Sequence, residues 1–286
     1  MNKRDIVHFF TKRFPNEESA IVYFTQKRWG DKVLCPYCGL DKINKVSGNQ
    51  PYKCRPCNRK FTCITGTFMH GSKVQLRIWL TMMFFMGNAK NGVSSVELAE
   101  ILGIQQKTAW YMAQRIRTAF EQDRGSLSNV VEVDETKVGG KEKNKHLNKK
   151  GKLAKSTIIG AIQRGGELRA KVIDPTKTEA LNFINRNISK GSTVYTDESK
   201  LYFGLNTRGY NHDAVNHSKY EYVRGDVYTN TIESFWSAFK RSIYGTYRHV
   251  KSYNLQKYVN EFAFRYNSKD FIGEACAYAE KGVKYE

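Results

Sequence analysis

The chain has 286 residues, 40% of them hydrophobic, which is ordinary globular material long enough for one large domain or two to three small ones. Its 47 Lys and Arg against 27 Asp and Glu leave a formal charge of +20, an imbalance that points to a polyanionic partner, nucleic acid by default, and away from a merely solubilising surface. No run of about eighteen apolar residues occurs and the N-terminus lacks an apolar signal core, so neither a membrane span nor export is expected; residence in the cytoplasm is, nucleoid-associated, or nuclear if the host is eukaryotic.

The first part, residues 1–68, opens on short amphipathic stretches (IVHFFTKRF, SAIVYFTQKRW) and then reads VLCPYCGLDKINKVSGNQPYKCRPCNRKFT. Cys35 and Cys38, then Cys54 and Cys57, follow the C-x2-C-x15-C-x2-C spacing of a zinc ribbon. Each pair sets two thiolates on a tight knuckle, and two knuckles close a tetrahedron around Zn2+. Four thiolates leave no open coordination position, so this zinc is structural. Cys63 and Cys276 stand alone and read as small buried side chains. Lys53, Arg55, Arg59 and Lys60 surround the second knuckle, interleaved with Tyr52 and Phe61, and suit contact with DNA phosphates; a solvated charged face is the alternative.

The second part, 69–128, is helical by periodicity. VQLRIWLTMMFFMG is a core helix. In NGVSSVELAEILGIQQKTAWYMAQRIRTAFEQ, Ser94 or Ser95 offers an N-cap, and Val96, Leu98, Ala99 and Leu102 form an apolar face. Gly103 supplies a turn before a second helix from about Gln105 to Glu121. This reads as a helix-turn-helix in which Gln105, Gln106, Lys107 and Thr108 face the major groove while Ala109, Trp110 and Met112 include the packing positions.

The third part, 129–286, begins with strands. NVVEVDETKVGG is one; STIIGAIQRGGELRAKVIDP supplies two more, a hairpin turning at Gly165 and Gly166. A helix (TEALNFINRNI), a fourth strand (GSTVYTDE), a short fifth (HDAVNHS) and a long helix (TNTIESFWSAFKRSIYG) follow. This is the order of an α/β RNase H-like domain, with a mixed five-stranded sheet. The Lys-rich segment KEKNKHLNKKGKLAK, between the first two strands, reads as an exposed basic loop.

Asp134 ends the first strand, Asp197 ends the fourth, and Glu233 lies in the long helix. Those strands are neighbours in an RNase H-like sheet, so the two aspartates converge at one edge, and the helix packing across it can deliver the third acid. Three carboxylates together are costly unless divalent cations neutralise them. Two Mg2+ or Mn2+ ions would do so, and the use of such a pair is in-line phosphoryl transfer. Glu135 and Glu198 follow the aspartates directly; strand alternation argues against both members of either pair being ligands and leaves a supporting or capping role.

VEVDETKVGGK, VYTDESKLY and YTNTIESFWSAFKRSIYGTYRHV, with CPYCG and YKCRPCNRKFTCITGTFMHGSK, resemble the motifs of zinc-ribbon insertion-sequence DDE transposases, a group related to the eukaryotic Merlin elements. The resemblance spans nearly the whole chain. It implies a transposase that binds the terminal inverted repeats of its element, cleaves there, and joins the 3′ ends to target DNA. It also implies that Asp134, Asp197 and Glu233 form the metal-binding triad, with Asn230, one turn earlier, as an alternative third ligand. Lys240 corresponds to the basic residue such enzymes use on DNA, and Arg241, Tyr247, Arg248 and His249 touch DNA or pack nearby. Bringing two DNA ends together calls for a homodimer or higher oligomer. A non-catalytic DNA-binding regulator derived from a transposase is the rival reading, and an RNase H-type nuclease or resolvase a third, which leaves the helix-turn-helix without a role.

Overall fold

A computed structural model of the chain describes residues 12–48, 51–120, 125–139, 155–248 and 250–277. His249 and all of the Lys-rich segment but Lys155 lie outside them. The chain divides into two compact units, residues 123–267 and the segments on either side of it.

The flanking unit begins with α1 (Glu17–Trp29), whose capping box joins Asn16 and Ser19. The ribbon follows, an antiparallel sheet of β1 (Ile43–Lys45), β2 (Tyr52–Cys54) and β3 (Lys60–Phe61). A sheet this small has little interior, and aromatic rings fill it: Tyr52 and Phe61 stack at 5.4 Å with Trp29 edge-on to both. The two rings read as interleaved with the basic residues are therefore the ribbon's core. The apolar helix is α2 (Leu76–Asn88), with Trp79, Leu80, Met82 and Met83 fully buried.

Next come α3 (Ser95–Leu102) and α4 (Gln106–Ala119), joined at Gly103 in the left-handed conformation. The Ser94 hydroxyl accepts the Glu97 N–H, the expected N-cap. Leu98, Ala109 and Met112 are buried as the periodicity requires, but Val96 and Trp110 are exposed, which corrects their assignment to packing faces. In the eight-residue α3 only Leu98 is buried, and Val96 falls beside that stripe; Trp110 lies near the start of α4, off the face that Ala109, Met112, Ala113 and Ile116 bury. Gln105, Gln106 and Lys107 are exposed and Thr108 is half-buried. The last helix, α8 (Phe271–Ala277), also belongs to this unit, with Phe271 edge-on to Phe120 at 5.2 Å.

The other unit is built on a five-stranded sheet: β4 (Val130–Val138), β5 (Ser156–Gln163), β6 (Leu168–Ile173), β7 (Thr193–Thr196) and β8 (Asn211–Ala214). The spatial order is β6-β5-β4-β7-β8; β4, β5 and β6 pair antiparallel, while β7 runs parallel to β4 and β8 parallel to β7. Helix α5 (Lys177–Asn187) connects the third strand to the fourth, and α6 (Asn230–Gly245) follows the fifth. That is the RNase H-like order, with every strand where the sequence pattern set it. Helix α7 (Ser252–Asn267), to which no element was assigned from sequence, completes the layer beside α6.

Alternation along the strands separates two cores. Val131, Val133, Ile159 and Ala161 join Ile184 of α5 on one face; Ile158 and Ile162 join Trp236 and Phe239 of α6 and Phe262 of α7 on the other. Gly160, the cross-strand partner of Asp134, lets α6 come down onto the sheet: a Cβ there would lie 2.6 Å from Trp236 Cζ2 and 3.1 Å from Ile232 Cδ1. Gly160→Ala is predicted to lower stability by about 1–3 kcal/mol, the usual cost of overpacking, read by urea unfolding against the parent chain.

Candidate active site

Asp134 and Asp197 meet as the topology demands. The parallel ladder between β4 and β7 ends at Glu132 opposite Tyr195; β7 stops one residue later at Thr196, just before Asp197, whereas β4 runs on to Val138, so Asp134 stands in the middle of its strand and not at its end as the sequence pattern suggests. Carboxylate oxygens of Asp134, Glu135 and Asp197 lie within 4.8 Å of one another. Glu135 is the member that alternation argued against. Beyond the last rung β4 has no β7 neighbour, so carboxylates from its two faces both reach the gap. Glu135 is also held from the far side, accepting hydrogen bonds from Ser199 Oγ at 3.1 Å and from the buried Tyr202 hydroxyl.

The electrostatics follow from crowding. Burial, and then the charges of Asp197 and Glu135, push Asp134 up to about 8 from an ordinary 3.8; Glu233 adds a smaller contribution in the same direction. Burial also lifts Asp197 to about 6, with Glu135 and Glu198 adding to it. Glu198 points away and serves as a cap: its carboxylate accepts the Ser218 hydroxyl and the N–H groups of His217 and Ser218. The Ser218 hydroxyl is the main reason it is drawn down to about 2.

Glu233 sits in the first turn of α6, outside the group of three. Its Oε1 accepts the Thr229 hydroxyl at 2.7 Å and lies 3.5 Å from His217 Nε2. Asn230, the first residue of the helix, is exposed. Lys240 lies two turns after Glu233 on nearly the same face and is half-buried, while Arg241 and Arg248 are exposed. Tyr247 packs edge-on to Tyr258 at 4.7 Å and donates to Glu261.

What sequence reasoning missed is Glu132. It stands two residues before Asp134 on the same face of β4, with a fully buried side chain. Its Oε1 meets Arg164 Nε at 2.9 Å and the Thr231 hydroxyl at 2.9 Å; its Oε2 accepts the N–H groups of Thr231 and Ile232 at 2.9 and 3.1 Å. The available signal was an acid in an apolar strand, VVEVD, which must find a partner to be buried.

In the ribbon, Cys35 Sγ lies 3.6 Å from Cys57 Sγ, and Cys38 Sγ 3.5 Å from Cys54 Sγ, with all four sulfurs within 4.8 Å. Four thiolates at about 2.3 Å from a central ion stand about 3.8 Å apart in a tetrahedron, so the cluster fits a structural metal. Around it, Arg55 is tied to Asn44 at 2.8 Å and Arg59 lies over the Tyr37 ring, while Lys60 is exposed and Lys53 half-buried.

A four-cysteine ribbon and an RNase H-like sheet with acids gathered where β7 ends beside the middle of β4 are the features of a transposase with a DDE-type core. Residues 126–267 match the ISXO2-like transposase domain, and residues 15–60 match the transposase zinc-ribbon domain. A protein of Halobacterium salinarum, described as an uncharacterized protein in transposable element ISH50, is 29% identical over 274 residues, which cover 89% of this chain and 92% of that one. Among solved structures, the Mos1 strand transfer complex aligns at 12% identity with a TM-score of 0.32, over 72% of this chain and 79% of that one. The simian T-cell lymphotropic virus intasome, in complex with PP2A regulatory subunit B56 gamma, aligns at 13% identity with a TM-score of 0.31, over 65% of each chain. The chain belongs to the zinc-ribbon insertion-sequence transposases.

The raised carboxylates make stability depend on pH when no cation is bound. A carboxyl whose folded pKa lies above its unfolded value stabilises the fold fully below the unfolded value and ceases to do so as pH rises through the folded one. For Asp134 that window runs from about 4 to about 8. In EDTA, the melting temperature of the parent chain should fall relative to that of Asp134→Asn between pH 5 and pH 8.5. Parallel melting curves would contradict this.

Proposed function

We propose that this transposase binds the terminal inverted repeats of its element, cleaves the ends, and joins the freed 3′ ends to target DNA by metal-dependent phosphoryl transfer. The observation that carries the proposal is the meeting of Asp134, Glu135 and Asp197 where β7 ends beside the middle of the adjacent parallel strand β4. Half-buried carboxylates crowded together, with Asp134 and Asp197 pushed above the ordinary carboxylate range, are an all-oxygen donor set suited to hard divalent cations. Bound there, two Mg2+ or Mn2+ ions would activate the attacking water or 3′ hydroxyl and stabilise the leaving oxygen across the scissile phosphate.

In this reading Asp134 and Asp197 supply the shared ligand oxygens and Glu233 completes the triad. Glu233 is favoured over Asn230 because its charge already acts on Asp134. Lys240, on the Glu233 face of α6, holds DNA phosphate beside the site, and Arg241 and Arg248 extend that contact. Residues 1–68 and 69–128 grip DNA and residues from 129 onward carry the chemistry. Cys35, Cys38, Cys54 and Cys57 hold Zn2+, which keeps the ribbon closed. Lys53, Arg55, Arg59 and Lys60 contact phosphates; Gln105, Gln106, Lys107 and Thr108, at the start of the second helix of a helix-turn-helix, read the major groove. Two element ends must meet, so the working form is a homodimer or larger, acting wherever its DNA resides.

Purified protein should nick double-stranded DNA bearing the element's ends only when Mg2+ or Mn2+ is supplied. Asp134→Ala and Asp197→Ala should each lower that rate by at least about 10²–10³, the usual cost of removing one group from a preorganised charge-stabilising site, with DNA affinity kept. Binding without cleavage by the parent protein would instead favour a regulator. Lys60→Ala, at an exposed residue assigned to phosphate contact, should weaken DNA binding and flatten its salt dependence by about one unit of slope, measured by fluorescence anisotropy across a salt series.

A further inference from the structure

Helix α6 starts without a side-chain cap of its own. Thr229, at the N-cap position, directs its hydroxyl to Glu233 and caps nothing. The N–H groups left open at a helix start need acceptors, and those of Thr231 and Ile232 are met by Glu132, a residue 99 positions earlier on β4. Arg164 balances the charge. Its Nε bonds Glu132, its other two nitrogens donate to the carbonyls of Asp226 and Tyr228, and its guanidinium lies 3.6 Å from the centre of the Tyr228 ring. One buried ion pair thus binds the strand that carries Asp134 to the loop entering α6 and to that helix's first turn.

We propose that Glu132, paired with Arg164, is a positioning residue: it seats the first turn of α6 on β4 and so sets the distance from Glu233 to the Asp134–Asp197 pair. The geometry leaves little freedom. Glu132 and Asp134 share a strand face two residues apart, and Thr231 and Glu233 share a helical turn. The contact at Glu132 therefore fixes the separation between the acids, and Gly160 lets the helix sit close enough for that contact to form. A buried carboxylate employed only for stability would need one counter-ion and no helix start. The proposal rests on the reading of the acidic cluster as a divalent-cation site, and the test separates the two.

The probe is Mn2+ alone, titrated into the full-length protein, with free Mn2+ followed by electron paramagnetic resonance. Glu132→Gln keeps the shape, removes the charge and replaces an acceptor with an amide donor. It should weaken Mn2+ binding by about tenfold or more, the scale seen when a group that orients a metal ligand is lost. Glu233→Gln should weaken it as well, and the double variant should bind no more weakly than Glu233→Gln, since Glu132 acts only through Glu233. Parent-like affinity in a folded Glu132→Gln protein overturns the proposal, as do losses that multiply in the double variant. If Glu132→Gln does not fold, Glu132→Gln with Arg164→Met removes both buried charges together and should show the same loss; parent-like binding by that variant also overturns the proposal. Asp134→Asn tests the underlying site. Unchanged Mn2+ binding there removes the cation site itself, and the positioning role with it.

Discussion

Acidic side chains that repel must be held together by something stiffer than their repulsion, and here that is the backbone ladder joining β4 to β7. Two unit charges some 5 Å apart at an effective dielectric of about 20 repel by roughly 3 kcal/mol. That is enough to shift a titration by about two units, and burial adds more. Asp134 reaches about 8 for these two reasons, so near neutral pH the cation-free site keeps a proton that it would release to a divalent ion. The sheet accepts this local cost because β4 and β5 are packed on both faces by cores that do not involve the acids.

The same chemistry recurs at two helix starts. In the ribbon-bearing unit, α2 begins after Gln75 with no side-chain cap, and the Glu17 carboxylate of α1 accepts the N–H groups of Leu76 and Arg77 at 2.7 and 2.9 Å. In the RNase H-like unit, Glu132 does this for α6. A cap from a neighbouring residue stabilises a helix locally, whereas one from a distant element also fixes where the helix begins relative to that element. At α2 the result is packing between two helices. At α6 the same device would, on the proposal above, set where Glu233 lies relative to Asp134 and Asp197.

Much of this was legible because it depends on short-range pattern. The ribbon follows from four cysteines at fixed spacing, and the strand order from alternation and the Gly165–Gly166 turn. Asp134 and Asp197 could be paired because their strands are neighbours in that order, although Asp134 stands mid-strand and only β7 ends at the site. What escaped depends on partners remote in sequence. Glu132 finds its helix 99 residues on, and nothing local to VVEVD names that partner. Glu135 was set aside by a rule that holds inside a ladder and lapses where the neighbouring strand ends. Tyr52 and Phe61 looked like companions of the basic residues, yet a three-stranded sheet has few other side chains with which to fill its interior. Val96 and Trp110 are apolar yet exposed, because apolar character alone does not say which side of a helix its partners cover.

Remote acids, brought together where β7 ends beside β4, are proposed to share divalent cations. Crystals of the protein soaked in Mn2+ and measured for anomalous scattering test it most directly. Strong peaks are expected between the carboxylates of Asp134 and Asp197, within coordination distance of both. Well-ordered carboxylates with no anomalous density between them, at saturating Mn2+, would contradict it.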